Sequence, residues 1–323
     1  MQSRGWINPL VISVGRKLKH LLELFGVLFL LQVVRLLPPS CFFALGRALG
    51  RFTFSLLRIR RQVALQNLQQ AFPEKTAGEI FDIGKSCYKH FGMMMLECLR
   101  MQTMAREELL ALIEPAGGVV ESELDRLQRE NTGAILLTAH FGNWEYLGVW
   151  VAAKGYPVSF INQPQNNPHV DRLIQRTREG MGAHMIARGS MGLRLILRAL
   201  RERRFVFILP DQDAGRDGIF VPFFGRPAST ARGAAAFALK SAVPIVICML
   251  SRQTNGRYSL MTERLSFDFS PGGDENAKIT EITRRYTAAM ETHIRRCPEQ
   301  WLWLHRRWKN QPQRAEAHAK LHA

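Results

Sequence analysis

The sequence predicts an α/β fold in which a mixed central sheet is flanked by helices and preceded by an N-terminal helical membrane anchor. From residue 133 onward, short apolar runs alternate with longer amphipathic segments, which is the pattern of alternating strands and helices. Residues 21–37 form a nearly continuous apolar run, close to the roughly 20 residues needed to cross a bilayer. At 323 residues, the chain is long enough for one large domain or two ordinary ones.

Hydrophobic periodicity and capping signals then define the individual elements. Strands are predicted over 134–139, 157–161, 205–209, 244–249 and 258–262, and helices between them over 144–153, 168–180, 191–203 and 230–241. Upstream, helices are predicted over 41–59, 60–71 and 77–100. Ser40 is the expected cap of the first of these, and Thr76 with Glu79 forms a capping box for the last.

The apolar N-terminal segment allows three interpretations. Glu23, Gln32 and Arg35 interrupt it, so it is a borderline span. It predicts a short spanning or deeply inserted anchor, an in-plane interfacial helix, or a cleaved signal, although no small-residue cleavage site follows. We divide the chain into a basic segment with the anchor (1–39), a main α/β domain (40–309) and a polar tail (310–323).

The chain is strongly basic, with 44 Lys and Arg residues against 27 Asp and Glu residues and a net charge of +17. Such a charge attracts nucleic acid, anionic lipid, phosphorylated substrates or an acidic carrier protein. The first 61 residues hold ten of the basic residues and a single acid beside the most apolar stretch, which favours a membrane surface over nucleic acid. The five scattered cysteines lack a C-x-x-C pattern and indicate reduced side chains without a metal site.

One stretch concentrates the chemistry. His140 follows the predicted strand 134–139, and residues 141–143 have turn composition, with Asn143 suited to cap the next helix, whose first turn contains Glu145. A carboxylate folded back onto one imidazole nitrogen would fix the tautomer and leave the other nitrogen as a base. This pair has no nucleophile of its own and suits activation of a substrate hydroxyl. The alternative is a histidine that ends a strand and a solvated glutamate.

Two further loops carry candidate residues. Asp211, Gln212 and Asp213 follow another predicted strand, and they lie beside His140 if both strands belong to one parallel sheet. They could position substrate, bind a metal or form a structural loop. In the segment 220–230, Phe224 and Gly225 form either a substrate wall or a packed loop, ending at Ser229 or Thr230 as the cap of the following helix.

Two basic stretches complete the candidates. Arg178 and Arg188 are suited to bind phosphate through paired N–H groups, although most surface arginines are only solvated. The run after Arg188 is not a nucleophile elbow, since arginine stands where the first glycine belongs. Residues 298–309 interleave aromatic and basic side chains, as membrane-interface or nucleic-acid surfaces do, and include His305 as a functional or a packed histidine.

These motifs resemble the bacterial lipid A late acyltransferases, the lauroyl and myristoyl transferases within the lysophospholipid acyltransferase superfamily. The matching pieces cover roughly residues 20–309 and are His140-Phe-Gly-Asn-Trp-Glu145, Asn167-Pro168 with Arg178 following, Pro210-Asp-Gln-Asp213, Val221-Pro-Phe-Phe-Gly225 and Pro298-Glu-Gln-Trp-Leu-Trp-Leu-His-Arg-Arg-Trp-Lys309. The superfamily usually has aspartate where Glu145 stands, and this chain matches the branch with glutamate. Two of the pieces also resemble other bacterial glycolipid acyltransferases.

The resemblance implies a glycerolipid acyltransferase-like fold and acyl transfer from a thioester, acyl carrier protein or coenzyme A, to a hydroxyl of a phosphorylated glycolipid. It places the enzyme at the bacterial inner membrane with its active site on the cytoplasmic side. The implied catalytic residues are His140 and Glu145, and the implied substrate-binding residues are Asn143, Arg178, Arg188, Asp211, Gln212, Asp213, Phe224 and Gly225. We expect no cofactor, no metal and no nucleic acid. The alternatives are another lipid acceptor, a lipase or thioesterase, and an inactive membrane-surface binding protein.

Overall fold

A computed structural model describes residues 9–116, 122–162, 165–187, 191–270 and 272–312 of the chain. The predicted polar tail therefore falls largely outside the described residues. The strands in the described part, in chain order, are β1 (Ile113–Pro115), β2 (Ala134–Leu137), β3 (Val158–Asn162), β4 (His184–Ala187), β5 (Phe205–Ile208), β6 (Ile219–Phe223), β7 (Arg226–Thr230), β8 (Ile245–Arg252) and β9 (Tyr258–Leu265).

The helices surround these strands. They are α1 (Pro9–Leu36), α2 (Pro39–Phe52), α3 (Arg61–Ala71), α4 (Ala77–Arg100), α5 (Arg106–Leu112), α6 (Glu123–Arg129), α7 (Trp144–Ala153), α8 (Pro168–Gly180), α9 (Gly192–Arg201), α10 (Gly233–Ser241) and α11 (Glu275–Arg296). The capping box of Thr76 and Glu79 opens α4 as predicted. Helix α2 continues into a π-helical turn, Thr53–Leu57, so the predicted single helix over 41–59 is interrupted.

Seven strands form one sheet in the order β1-β9-β8-β2-β5-β3-β4. Strands β8, β2, β5, β3 and β4 are parallel to their neighbours in this series, whereas β9 runs antiparallel to β8. The predicted mixed sheet is thus confirmed. Since β2 lies between β8 and β5, whatever follows these three strands meets at one edge of the sheet.

The sequence does not predict the short strands β1 and β4 or the separate hairpin of β6 and β7. The hairpin sequence is typical of a loop because two prolines interrupt its apolar residues. It also corrects the predicted cap of α10. Ser229 and Thr230 lie in β7, and the N-cap is Arg232, which makes no side-chain capping bond.

Alternation along β2 divides the core into two layers. Ile135 and Leu137 pack with α9, α10 and α11 on one face, whereas Ala134 and Leu136 pack with α5, α6 and α7 on the other. All four side chains are fully buried. A strand covered on both faces reads as a continuous apolar run, which is why the sequence predicts β2.

Within the described residues, no helix combines the length and the apolar character that a bilayer crossing requires. The predicted membrane-spanning anchor is therefore not supported. Helix α1 instead contacts α4 and α8 and buries Leu31 and Val34. The polar interruption at Glu23 has a structural partner, because the amide of Asn167 at the start of α8 donates to its carboxylate at 2.9 Å.

Candidate active site

The register of the central strands brings His140 and Asp211 together. Leu137 of β2 pairs with Ile208 of β5, so both residues lie three positions beyond a paired position on adjacent parallel strands. The backbone carbonyl of His140 accepts the N–H of Leu302 at 3.0 Å, which connects this part of the chain to the C-terminal segment. The carboxyl edge of the sheet is thus the position of the candidate site, as predicted.

Asp211 holds the imidazole of His140 through well-formed hydrogen bonds. Its Oδ1 lies 2.8 Å from His140 Nδ1, and its Oδ2 accepts the backbone N–H of His140 at 2.8 Å. The indole Nε1 of Trp301 donates to the same Oδ2, also at 2.8 Å. Because a carboxylate only accepts, Nδ1 of His140 carries the proton and Nε2 is free to act as a base.

The electrostatics of this pair favour the imidazolium. Burial opposes the charged form of His140, but the Asp211 carboxylate at Nδ1 outweighs burial and raises the pKa of the imidazole. Glu145 adds a smaller effect in the same direction. Burial likewise opposes ionisation of Asp211, and the contacts with His140 and Trp301 nevertheless lower its pKa. The site therefore stabilises a proton taken up by His140.

Gln212 occupies the other side of the ring. Its Nε2 lies 3.3 Å from Nε2 of His140, where it donates a weak hydrogen bond to the neutral imidazole. The imidazole also packs edge-on against Trp144, with ring centroids 4.9 Å apart. Gln212 is thus placed where a substrate hydroxyl would approach the base.

Glu145 does not make the hydrogen bond to His140 that the sequence predicted. Its carboxylate accepts two bonds from Nη2 of Arg178 on α8, at 3.0 and 2.7 Å. The reason is geometric, because Glu145 lies in the first turn of α7 while Asp211 extends from the strand next to β2. Asp211 rather than Glu145 therefore orients the ring, and Arg178 is brought to the same edge.

A small cavity of about 80 Å³ opens beside the ion pair of Glu145 and Arg178. Its other walls are mainly apolar and come from α7 and the carboxyl halves of β3 and β5, with Gly148, Phe160 and Phe207 among them. Gly148 is required for close packing here, since a Cβ at this position would lie 2.7 Å from the ring of Phe160. The site therefore combines a polar rim with an apolar interior.

The turn after His140 is held from several directions. Asn143 caps α7 by accepting the N–H of Tyr146 at 3.0 Å, as the sequence predicted. Its side chain is fully buried, so it does not face the site as a substrate-binding residue would. The N–H of Gly142 donates to the carbonyl of Gln300 at 2.9 Å, so this backbone group is not available to a bound substrate.

Replacing Gly142 with alanine is expected to lower the free energy of unfolding by about 2–5 kcal/mol. Gly142 has φ of +56°, and a Cβ there would lie 1.6 Å from the carbonyl oxygen of Leu250. Urea denaturation of the purified protein measures the loss. The matched control is Gly155→Ala. Gly155 also has a positive φ, but an added Cβ would meet no neighbouring atom within 4 Å. This control should lose only the free energy that the left-handed backbone conformation costs a residue with a side chain. Equal losses for the two variants would contradict the clash.

Asp213 ties the loop to the C-terminal segment rather than to His140. Its Oδ1 accepts the amide of Asn310 at 2.6 Å, and its backbone N–H donates to Nε2 of His305 at 2.9 Å. His305 is thus a neutral, packed histidine, with a pKa lowered mainly by burial. Arg307 is buried beneath the same loop and donates to Thr230 Oγ1 at 2.6 Å.

Phe224 and Gly225 form the two-residue turn of the β6–β7 hairpin, with φ of +52° and +69°. Phe224 is buried against Phe72 and Trp303, at ring-centroid distances of 5.3 and 5.6 Å. Of the two alternatives that the sequence left open, Phe224 thus has the packing role rather than the substrate contact that the resemblance implied. The sequence could not choose between them because the packing partners come from distant segments of the chain.

Phe224→Ala is expected to reduce the free energy of unfolding by about 3–5 kcal/mol, since it removes a buried aromatic ring. Thermal unfolding followed by circular dichroism measures this effect. Phe220→Ala, on the same hairpin but only partly buried, is the control and should be less destabilising. A Phe224→Ala protein as stable as the wild type would overturn the packing role.

Arg188 lies outside the described residues. The structure adds three residues that the sequence did not single out, namely His90, Glu97 and Arg252. It also gives specific partners to Gln300 and Trp301, which the sequence presented only as part of the stretch 298–309. Glu97 had a detectable signal, as a lone acid within an otherwise apolar run of α4. No cluster of three metal-ligating side chains is found in the part of the chain described here.

Known proteins are similar to this chain along nearly its whole length. A family model described as bacterial lipid A biosynthesis acyltransferase matches residues 14–310. The chain is similar to the lipid A biosynthesis palmitoleoyltransferase of Escherichia coli K12, 28% identical over 314 residues, or 96% of this chain and 95% of the relative. It is also 28% identical to the lauroyltransferase of that organism over 89% of this chain and 90% of the relative. The corresponding values for its myristoyltransferase are 24%, 84% and 82%.

Proposed function

This chain belongs to the bacterial lipid A biosynthesis acyltransferase family, and we propose that it moves a fatty acyl chain from a thioester donor to a hydroxyl of a lipid A precursor. The family membership confirms the resemblance found in the motifs and identifies the protein as an acyltransferase. One observation carries the mechanism. His140 is held at Nδ1 by Asp211 and faces Gln212 at Nε2, with no serine, threonine or cysteine side chain bonded to it among the described residues.

In the proposed reaction, the substrate hydroxyl is the nucleophile. Nε2 of His140 removes the hydroxyl proton while the oxygen attacks the thioester carbonyl carbon. The C–S bond of the tetrahedral intermediate then breaks, and the imidazolium gives the proton to the departing sulfur. Gln212 is displaced from Nε2 by the hydroxyl, and we assign its amide to binding the substrate oxygen atoms.

Asp211 and Glu145 have different proposed roles. Asp211 fixes the tautomer of His140 and stabilises the imidazolium through direct contact. Glu145 acts at longer range, adding negative potential at the ring, and it orients Arg178 at the rim of the cavity. We retain Glu145 as part of the catalytic machinery through this electrostatic effect rather than through a hydrogen bond.

The basic residues at the site suit a phosphorylated acceptor. Arg178 bonds to Glu145 through Nη2, and a guanidinium has further N–H groups that can bind a phosphate oxygen. We assign Arg178 and Arg188 to the acceptor phosphate. The net charge of +17 also favours an acyl carrier protein as the donor over a neutral carrier, with coenzyme A thioester as the alternative.

We further propose that the enzyme works at the inner membrane, with its site on the cytoplasmic side. Helix α1 exposes large apolar side chains, among them Leu22, Phe25 and Phe29, each more than 60% accessible. Arg51 and Arg58 lie nearby in the chain, around the exposed π-helical turn after α2. Exposed apolar side chains on α1, together with exposed arginines on the neighbouring segment of the chain, fit a helix lying in the plane of an anionic membrane.

Lipid mass spectrometry tests the acceptor. Cells lacking the gene should accumulate lipid A lighter by one acyl chain, and the mass difference gives the chain length. Wild-type protein should restore the missing chain, whereas His140→Ala should not. Unchanged lipid A with a change in another glycolipid would replace the acceptor, and no change in any lipid would favour a membrane-surface binding protein.

The donor is tested with purified protein and an isolated lipid A precursor. Transfer from acyl carrier protein thioester should exceed transfer from the coenzyme A thioester of the same acyl chain. Release of free fatty acid in place of an acylated lipid would indicate a thioesterase. High-salt washing of membranes tests the localisation. A protein held by an apolar surface should stay with the membranes, whereas one held only by electrostatic contacts should be released, because salt screens them.

A further inference from the structure

A buried ion pair lies directly beneath the turn that follows His140. Glu97 of α4 and Arg252 at the end of β8 have side chains only 4% and 8% exposed. Both Nη groups of Arg252 donate to Glu97, and the hydroxyl of Tyr258 donates to its Oε2 at 2.6 Å. The same Oε2 accepts the amide of Asn143 at 2.9 Å. The ion pair is therefore linked to the turn through a single side chain.

Stability alone does not explain such an ion pair. Removing two charges from water carries a large free-energy cost, and apolar replacements of similar volume are often neutral or stabilising. The negative charge of Glu97 does determine how the side-chain amide of Asn143 is oriented. A carboxylate accepts and cannot donate, so it forces the amide of Asn143 to present its NH₂ to Glu97 and its Oδ1 to Tyr146. The reversed amide would place oxygen against the carboxylate.

The other groups around the turn complete this constraint. Burial and the nearby Arg252 lower the pKa of His90 to about 3, so its ring is neutral and its Nε2–H donates to the carbonyl of Gly142 at 2.9 Å. The side chain of Gln300 bonds both the N–H and the carbonyl of Arg252, at 2.8 and 3.0 Å. The turn is thus fixed by α4 on one side and by β8 and the C-terminal segment on the other.

We propose that Glu97 and Arg252 are positioning residues for acyl transfer, acting through Asn143 on the turn that places the imidazole of His140. They touch neither the reacting atoms nor His140 itself. This inference rests on the proposed function, in which Nε2 of His140 must meet the acceptor hydroxyl. A displacement of about 1 Å in such a geometry can cost 10²-fold in rate.

A reciprocal exchange tests the proposal. Glu97→Gln replaces a carboxylate, which can only accept hydrogen bonds, with an amide, which can also donate. Asn143→Asp places a second carboxylate 2.9 Å from Glu97. Each is expected to lower kcat about 10–100-fold while KM changes little. The double variant moves the carboxylate from position 97 to position 143. The introduced glutamine can then donate to the introduced aspartate, which still accepts from the N–H of Tyr146. The glutamine oxygen keeps the bond from Nη1 of Arg252, whereas Nη2 loses its acceptor and the hydroxyl of Tyr258 has to turn. This double variant should therefore recover part of the lost kcat and be faster than either single variant.

Leu124→Ala is the control for a purely structural effect, since Leu124 is fully buried on α6. It should lower the thermal midpoint and leave kcat unchanged at temperatures where the protein is folded. If the single variants behave like this control, or if the double variant is no faster than the slower single variant, the positioning role is refuted. The rescue is the decisive result, because lost stability alone would not be reversed by exchanging the two groups.

A second readout separates this proposal from the proposed function. In ¹⁵N-histidine-labelled protein, the Nδ1–H resonance of His140, assigned by its loss in His140→Ala, reports the bond to Asp211. It should shift or broaden in Glu97→Gln and return in the double variant. A wild-type enzyme without acyl transfer would refute the proposed function, whereas an Nδ1–H signal unchanged in both single variants would refute the positioning role.

Discussion

Replacing His140 with alanine is expected to lower kcat for acyl transfer by about 10²–10⁴-fold, with the protein still folded. The imidazole is the group at this edge of the sheet whose Nε2 is placed to accept a proton, while its Nδ1 is held by Asp211. The loss should fall on kcat more than on KM, because substrate binding uses the rim and the cavity. Single-turnover transfer from acyl carrier protein thioester to the lipid A precursor measures it.

Folding of the His140→Ala protein can be verified independently. The variant leaves the buried Asp211 carboxylate with its bonds from Trp301 and the backbone N–H of residue 140, so we expect cooperative unfolding at a lowered thermal midpoint. His305→Ala is a matched control, a second histidine of the same edge that accepts a backbone N–H rather than facing substrate. Near-full transfer by folded His140→Ala would exclude the general-base mechanism.

Replacing Asp211 with asparagine is expected to reduce kcat by about 10²–10⁴-fold, because it reverses the tautomer of His140. Oδ2 of Asp211 accepts from Trp301 and from the backbone of His140, so the amide oxygen of the introduced asparagine would occupy that position. Its NH₂ would then face Nδ1 of His140 and donate to it. The proton of the neutral ring would move to Nε2, which could no longer accept the proton of the acceptor hydroxyl.

The same substitution should change the pH profile. Activity requires the neutral imidazole, so kcat/KM falls as pH drops through the pKa of His140. Asp211 raises that pKa, which places the acid limb of the wild-type profile above the ordinary value of about 6.5 for histidine. Without the carboxylate, burial dominates and the limb should move to lower pH.

Glu145→Gln provides the comparison that separates the two carboxylates. Glu145 contributes less than Asp211 to the pKa of His140 and bonds to Arg178. Its replacement should therefore shift the acid limb less and retain the correct tautomer. A larger shift for Glu145→Gln than for Asp211→Asn would contradict the assignment of Asp211 as the direct partner of His140.

The sequence by itself determined the α/β class, the position of His140 after a buried strand, the cap at Asn143 and the family. These features depend on local properties, namely the apolar run of β2, the turn composition of 141–143 and an unbroken set of motifs. Helices α7 and α8 begin and end where periodicity and capping placed them. Local signals of this kind are present in the order of the residues.

Only the tertiary structure decided which carboxylate meets His140. Glu145 is five residues away in sequence and Asp211 is 71, yet adjacent parallel strands bring Asp211 to Nδ1. The burial of Phe224 and the ion pair of Glu97 and Arg252 also depend on strand order and helix packing. Contacts between distant segments follow from how the sheet is ordered, and a single sequence carries no direct record of that order.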